Sequence, residues 1–466
     1  MGQIDRPMSP SEPPAAAPVE AAAAAHPTFG EALRTWLKIG LIGFGGPAGQ
    51  IALMHRIVVD EKRWIDEARF LHALNYCMLL PGPEAQQLAV YLGWLLHRVR
   101  GGLAAGILFV VPGTLVMMAL SILYILYHRI PLVDGLFWGL KTAVLAVVVE
   151  AVLRIGKRAL RTATMYTVAG AAFAGIFFFD IPFPLIVLAA GAIGWFGSQR
   201  WPNLFPAQGG HGSQGATTPA GIAATLTVPP AAGRTAAAFA FGLLLWFGPT
   251  LAAALLLGGA SAFTDIGVFF SKMAVVTFGG AYAVLAYVAQ QAVDVYGWLS
   301  PGEMLTGLGL AETTPGPLIM VVQFVAFLGA YRDPGPFAPL TAGVLGGLLA
   351  VWVTFVPCFI WIFAGAPWVE RLRDNRRLTA ALATITAAVV GVILNLAIWF
   401  AVHVLFGRVD EVWLGPLRLL SPMPGSLDAW ALVFSASAML AMLRFGIGML
   451  PTMAAAAAGG MVLRLL

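Results

Sequence analysis

Two triplets, Pro81-Gly82-Pro83 and Pro315-Gly316-Pro317, interrupt strongly apolar sequence. Proline has no N–H to lose and suits a first helical turn. A helix opening at Pro83 or Pro317 would therefore turn its free amides and positive dipole end toward the break. Gly82 and Gly316 let backbone approach a guest closely. Two such ends facing one another would suit a tetrahedral dianion without a dedicated arginine; the alternative is a packing kink with no guest. Polar residues gather at both triplets: Asn75, Gln86 and Gln87 near the first, Thr313 and Thr314 before the second. They offer neutral hydrogen bonds to oxygens, or they satisfy backbone freed by the breaks. Glu84 follows the first triplet and Glu312 precedes the second. A carboxyl beside an oxyanion must be protonated when the anion binds, or serve as a coupled proton carrier. Glu84 has another use as a first-turn acid complementing the helix dipole; Glu312 has none.

A second pair of breaks lies upstream of each triplet, at Phe44-Gly45-Gly46 and Phe278-Gly279-Gly280. These glycines permit either backbone contact with a ligand or close helix packing. Pro47 is matched by Ala281, so the two breaks are not equivalent there. Lys38 and Lys272 each stand six residues before the phenylalanine. Lysines within a membrane are functional candidates and a pair could neutralise a dianion, whereas snorkelling to the interface is the plain alternative. Lys141 and Glu150 are intramembrane candidates or helix-packing polar residues. His55, His72 and His97 lack metal-ligand spacing. No HExxH, Walker loop or Cys/His cluster is present, and no cofactor is implied.

These pairs obey one register. Phe44 to Phe278 and Pro81 to Pro315 are both offsets of 234 residues, and Glu31 falls on Asp265, Lys38 on Lys272 and Trp64 on Trp298. Broken elements repeated at matching positions mark the substrate site of transporters built from internal repeats. Irregular backbone at membrane depth is tolerated only where protein packs it or a cavity adjoins it.

The rest of the chain must carry these breaks. Hydrophobic residues make up 59%, charged residues 11%, and the mean hydropathy is +0.84. Soluble domains carry about 25% charged residues, so the chain reads as an all-α polytopic membrane protein. The formal charge of +5 is spread in short runs between apolar spans, unlike the clustered footprint of a nucleic-acid binder. Cys77 and Cys358 read as buried apolar residues. Residues 1–28 read as a disordered cytoplasmic tail, 29–198 as a first repeat, 199–234 as a flexible linker, 235–262 as a connecting helix and 263–466 as a second repeat.

Charge assigns topology. Arg56, Lys62, Arg63 and Arg69 follow the first break, and the matching stretch from Gln290 to Glu303 has no Lys or Arg. Past the triplets the offset becomes 245 residues, set by Pro112 and Pro357; at that offset Arg154, Lys157, Arg158 and Arg161 face Trp399 to Phe406, which has no Lys or Arg, while Arg371, Arg373, Arg376 and Arg377 face Leu126 to Leu132, which holds Arg129 alone. Lys and Arg accumulate on the cytoplasmic side, so the two repeats are expected to be inverted in topology. Their broken helices, above all the Pro81 and Pro315 elements, are expected to be re-entrant.

The runs from Phe44 to Trp94 and from Ser271 to Met320 resemble the chromate ion transporter family, in its long two-domain form. Two FGG…PGP pairs in one register carry the resemblance, which covers nearly everything outside the tail and linker. It implies multi-pass insertion in a bacterial inner (plasma) membrane, contact with membrane lipid, and efflux of chromate that confers resistance, with sulfate as the look-alike anion. A dianion leaving a negative-inside cell gains about 4.6 kcal/mol per 100 mV, so export needs no second ion, though protons could be coupled. The rivals are a sulfate or other anion permease, and an integral-membrane enzyme using Glu84, Glu312 and the histidines. No nucleophile-base or metal constellation at recognisable spacing supports the enzyme.

Overall fold

The computed structural model describes residues 26–202, 204–205, 232–278, 280–365 and 375–466. Most of the expected tail and linker, together with Gly279, Arg371 and Arg373, lies outside the described residues. Apart from one β-hairpin the described chain is helical, and five of its helices are long and apolar enough to cross a membrane.

Helix α1 (Phe29–Ile42) is capped by the Thr28 hydroxyl and stops at the first glycine break. Gly45 and Gly46 stand at φ of +90° and +66°, which side chains with a Cβ rarely adopt, and the chain restarts as α2 (Gly46–His55) with Pro47 in its first turn. Helix α3 (Glu67–Cys77) is capped by Asp66 and ends just before the first PGP triplet.

Next comes α4 (Glu84–Tyr127), which is two helices in one. His97 and Arg98 leave helical geometry, and the chain folds back so that Gly93 packs on Gly101 and Ala105, and Val90 on Gly106. Without those glycines the two limbs, residues 84–96 and 99–127, could not touch backbone to backbone. The first limb also returns along α3, with the Tyr76 ring 5.5 Å from Tyr91. Helix α3 and this limb thus form a hairpin with Pro81–Pro83 at its tip.

Helices α5 (Pro131–Ala159), α6 (Ala163–Phe179), α7 (Phe183–Arg200) and α8 (Ala232–Leu257) follow. From Ala262 the chain retraces the pattern of the stretch that begins at Phe29. Helix α9 (Ala262–Val276) ends at the second glycine break, α10 (Ala281–Ala289) restarts beyond it, and α11 (Pro301–Thr313) begins with a capping box between Ser300 and Glu303. A 3-10 turn over Leu318–Met320 leads into α12 (Val321–Arg332). Arg332 reaches back to Trp298 O at 2.5 Å and to Glu303 at 2.6 Å, and Gly307 packs on Phe324. Helices α11 and α12 are therefore a second hairpin, with Pro315–Pro317 at its tip.

Helix α13 (Pro339–Gly365) runs antiparallel to the second limb of α4, with Gly106 against Phe359 and Gly102 against Phe363. Along that limb the contacts pass from the base of the first hairpin, through Gly113 against Pro315 and Gly316, to Tyr124 beside Glu303 at the base of the second. Along α13 the order is reversed: Gly347 meets Gln323, Cys358 meets Gly82, and Gly365 meets Tyr76. The hairpin bases thus lie at opposite ends of this central pair, and the tips meet it between.

Helix α14 (Arg376–Leu405) packs on α5, α6 and α7. An antiparallel hairpin, β1 (Val409–Leu414) and β2 (Leu417–Pro422), then precedes α15 (Ala429–Met439) and α16 (Met449–Leu465), which pack on α5. The described chain is thus nearly all-α, as expected, and this hairpin is the exception: Gly415-Pro416 turns two strands about the buried Arg418, which pairs with Asp180 at 3.2 Å and Glu411 at 3.8 Å.

Candidate functional site

Each hairpin tip is fastened to the glycine break of the other repeat. Gly82 N–H donates to Thr277 O at 2.9 Å, and Gly316 N–H donates to Gly43 O at 3.0 Å. Both donor and acceptor are related by the same 234-residue offset that relates the motifs. The glycines are at φ of +116° and +99°, so a residue with a Cβ would strain either tip. The seats are close as well. A Cβ on Gly82 would lie 3.1 Å from Cys358 Sγ, and one on Gly113 would lie 2.5 Å from Pro315 O.

Amide side chains complete the two seats. Gln50 donates to Gly43 O at 3.1 Å and also to Gly316 O, which ties the first break to the second tip. Gln87 donates to Pro81 O at 2.7 Å and lies 3.8 Å from Cys358 Sγ. Gln86 differs: it is 0% exposed, and both its amide nitrogen and its amide oxygen are without a hydrogen-bond partner. Leaving buried polar atoms unmet costs about 1–3 kcal/mol, and such groups in a native fold need an explanation such as a ligand, ion or water. Gln86 stands in the first turn after Pro83, where the first helical amides also lack intrahelical acceptors.

The two acids meet the same element from either side. Glu84 Oε1 is 3.9 Å from where a Cβ on Gly280 would stand. Glu312, only 3% exposed, accepts from the Tyr282 hydroxyl at 2.5 Å. Both carboxyls thus adjoin the start of α10, while Arg154 and Glu150 of α5 are paired with one another at 3.4 Å.

Of the residues singled out in the sequence, Gly82, Pro315 and Gly316 make the contacts of the two seats, Pro81 O accepts from Gln87, and Glu84 and Glu312 adjoin Gly280 and Tyr282; Pro83 and Pro317 close the two triplets, and Gln86 stands three residues beyond the first. Gly45 and Gly46 form the first break by left-handed turns, with no neighbouring helix pressed on Gly46. Close helix contact therefore does not explain that pair. Thr314 is buried, but its hydroxyl is spent on Ala311 O at 3.1 Å, so it satisfies its own helix end. Lys38 and Lys272 are both exposed, on α1 and α9, a placement compatible with snorkelling, and neither has a contact with the tips among the described residues. Gly279 lies outside the described residues.

Two participants escaped the sequence reading. Gln50 and Tyr282 have no polar counterparts at the 234-residue offset, where Val284 and Ala48 stand. Their only signal was a lone polar group shortly after a glycine break.

Comparisons with known proteins bear on this arrangement. The description of the chromate transporter family matches residues 30–195 and again 264–461. A chromate transport protein of Pseudomonas aeruginosa is 34% identical over 363 residues, 77% of either chain. One from Cupriavidus metallidurans is 27% identical over 80% of this chain and 83% of its own, and a probable chromate transport protein of Synechococcus elongatus is 24% identical over 79% and 84%. No solved structure matches this chain.

Proposed function

The chain belongs to the chromate transporter family, and from that premise we propose that it exports chromate from the cytoplasm and so confers chromate resistance. The reading is carried by the reciprocal Gly82–Thr277 and Gly316–Gly43 hydrogen bonds. They make each tip dependent on the opposite repeat, so a movement of one repeat against the other opens one seat and strains its counterpart. The two repeats, 29–198 and 263–466, are inverted in this reading and work by alternating access, as expected of paired broken helices around a shared site.

Chromate is held where α4 opens after Pro83, by the free amides of that turn and the unpartnered amide of Gln86. Its charge faces the positive end of the helix. Glu84 and Glu312 take up protons when the dianion is present, and the Tyr282 hydroxyl fixes the orientation of Glu312.

Sidedness follows from basic residues. Arg69 and Arg98 line the mouth of the first hairpin, with Arg56, Lys62, Arg63 and Arg100 close to them in sequence, and Arg158 and Arg161 stand at the end of α5 remote from Asp134 and Glu303. Basic residues face the cytoplasm, so the first hairpin opens inward across the bacterial inner membrane. Outward movement of a dianion then gains about 4.6 kcal/mol per 100 mV without a driving ion.

The test is uptake of labelled chromate into everted vesicles, with and without a proton gradient. Uptake above that of vesicles lacking the protein, with sulfate competing only at higher concentration, is expected. Equal uptake with and without the protein would remove the reading, and preference for sulfate would reassign the substrate.

A further inference from the structure

A cavity of about 350 Å³ opens at the base of the first hairpin, lined by Trp64, Arg69, His72, Tyr91, Trp94 and Arg98 among others, with no carboxylate in its wall among the described residues. A second, of about 240 Å³, opens at the base of the other hairpin. At the 234-residue offset Arg69 falls on Glu303 and His72 on Thr306, which line the second cavity, while Trp64 and Arg98 fall on Trp298 and Arg332, which are joined to each other and to Glu303 at the base of the second hairpin.

The charges of the two cavities do not correspond. In the first cavity Arg69 shares an exposed contact with Asp66 at 3.2 Å, and Arg98 makes no ion pair among the described residues, lying 5.7 Å from the Trp94 ring. At the matching positions of the second hairpin, Arg332 and Glu303 are paired at 2.6 Å, and Glu303 also caps α11 through Ser300. The wall of the second cavity sets Lys141 and Arg464 against Asp134 and Glu303. The first mouth thus holds one cation, Arg98, without an ion pair among the described residues, and the charges of the second are balanced. Arg98 is moreover held at φ +54° in the fold between the two limbs of α4, a strained backbone for a long side chain, of the kind that persists where surroundings or function impose it.

We propose that Arg69 and Arg98 form a capture site for tetrahedral dianions at the mouth of the first hairpin, and that the neutralised Glu303–Arg332 pair leaves the opposite mouth without one. This rests on the transport reading above and deepens it: the anion is concentrated on one face only, so the two directions of transport differ in apparent affinity. The aromatic walls lower local screening, and the openness of the mouth lets the anion pass on toward the tip.

The experiment is the initial rate of chromate uptake into everted vesicles against concentration, at low and high ionic strength. Arg69→Gln and Arg98→Gln each raise KM about three- to tenfold at low salt, the scale of one charge acting on a dianion near a surface. Vmax stays within about twofold, the difference fades at high salt where the Debye length falls to about 3 Å, and Arg98→Lys behaves as the parent. Arg98→Gly removes the charge and relieves the backbone strain, so it reports even where the glutamine variant folds poorly. Unchanged KM in Arg98→Gly, or a loss that lysine does not restore, overturns the capture site while leaving chromate export intact. Should the parent carry sulfate and not chromate, the substrate reading fails and the sulfate KM decides the capture site. Should it carry neither, the transport reading fails. Equilibrium binding of sulfate to the purified chain then decides: binding weakened at least threefold by Arg98→Gly supports capture, and unchanged binding refutes it.

Discussion

Replacing Gly316 by alanine strikes the seat of the second tip, and its cost can be built from the structure. The residue stands at φ +99°, where a Cβ costs about 1–2 kcal/mol. That Cβ would lie 3.3 Å from Gly113 Cα and 3.8 Å from Phe109 O, so the tip must withdraw a few tenths of an ångström from α4. Withdrawal loosens the bond from Gly316 N–H to Gly43 O, now 3.0 Å, and the Gln50 bond to Gly316 O, each worth about 1 kcal/mol net. Strain and loosening together disfavour the docked tip by roughly 2–4 kcal/mol, which is about 30- to 700-fold in its docking equilibrium. Gly335 is the control, because it is also left-handed, at φ +56°, but nothing lies within 4 Å of its missing Cβ. Chromate uptake and detergent Tm should be read together. Both variants lose some stability, and Gly316→Ala alone loses transport by tenfold or more. Parental uptake in Gly316→Ala, or an equal loss in Gly335→Ala, would refute the role given to the seat.

Further outcomes follow from other contacts. Tyr282→Phe leaves the buried Glu312 carboxyl without its 2.5 Å donor, so Tm falls by an amount corresponding to about 1–3 kcal/mol, and Glu312→Gln impairs transport while the protein stays in the membrane. Lys38→Ala and Lys272→Ala, both at exposed positions, transport within about twofold of the parent, since exposed charges contribute little to a buried guest; a tenfold loss in either would return them to the site. Gly82→Ala, whose Cβ would lie 2.9 Å from Gln87 Nε2 and 3.1 Å from Cys358 Sγ, reproduces the Gly316→Ala defect at the mirror seat, measured by the same uptake assay.

Much of this was legible before the fold, because the groups concerned break local rules. A proline-glycine-proline run inside apolar sequence cannot continue a helix, so both tips and both hairpins were visible, and the constant offset paired them. The second limb of α4 and the helix α14 each contain an uninterrupted apolar run, residues 102–127 having no acidic or basic side chain. What spacing could not tell was direction around a helix. Lys38 is one residue from the buried Ile39 and two from the buried Trp36, so a step of 100° decides between site and lipid, and only packing fixes that phase. Gln50 and Tyr282 were hidden for a related reason: their partners lie 266 and 30 residues away, and neither recurs in the other repeat. The β-hairpin was hidden because its alternation is weak, with only Arg418 buried among its twelve strand residues.

Gln86→Leu bears most directly on whether the first tip holds the anion. The substitution fills the same space while removing two buried, unpartnered amide atoms, so Tm should hold or rise. Losing a hydrogen bond to a charged oxygen costs about 1.5–3 kcal/mol, so the Kd for labelled chromate, titrated against the purified protein, should weaken by about 10- to 150-fold. A variant that is as stable as the parent and binds chromate as tightly would contradict the placement of the anion at the opening of α4.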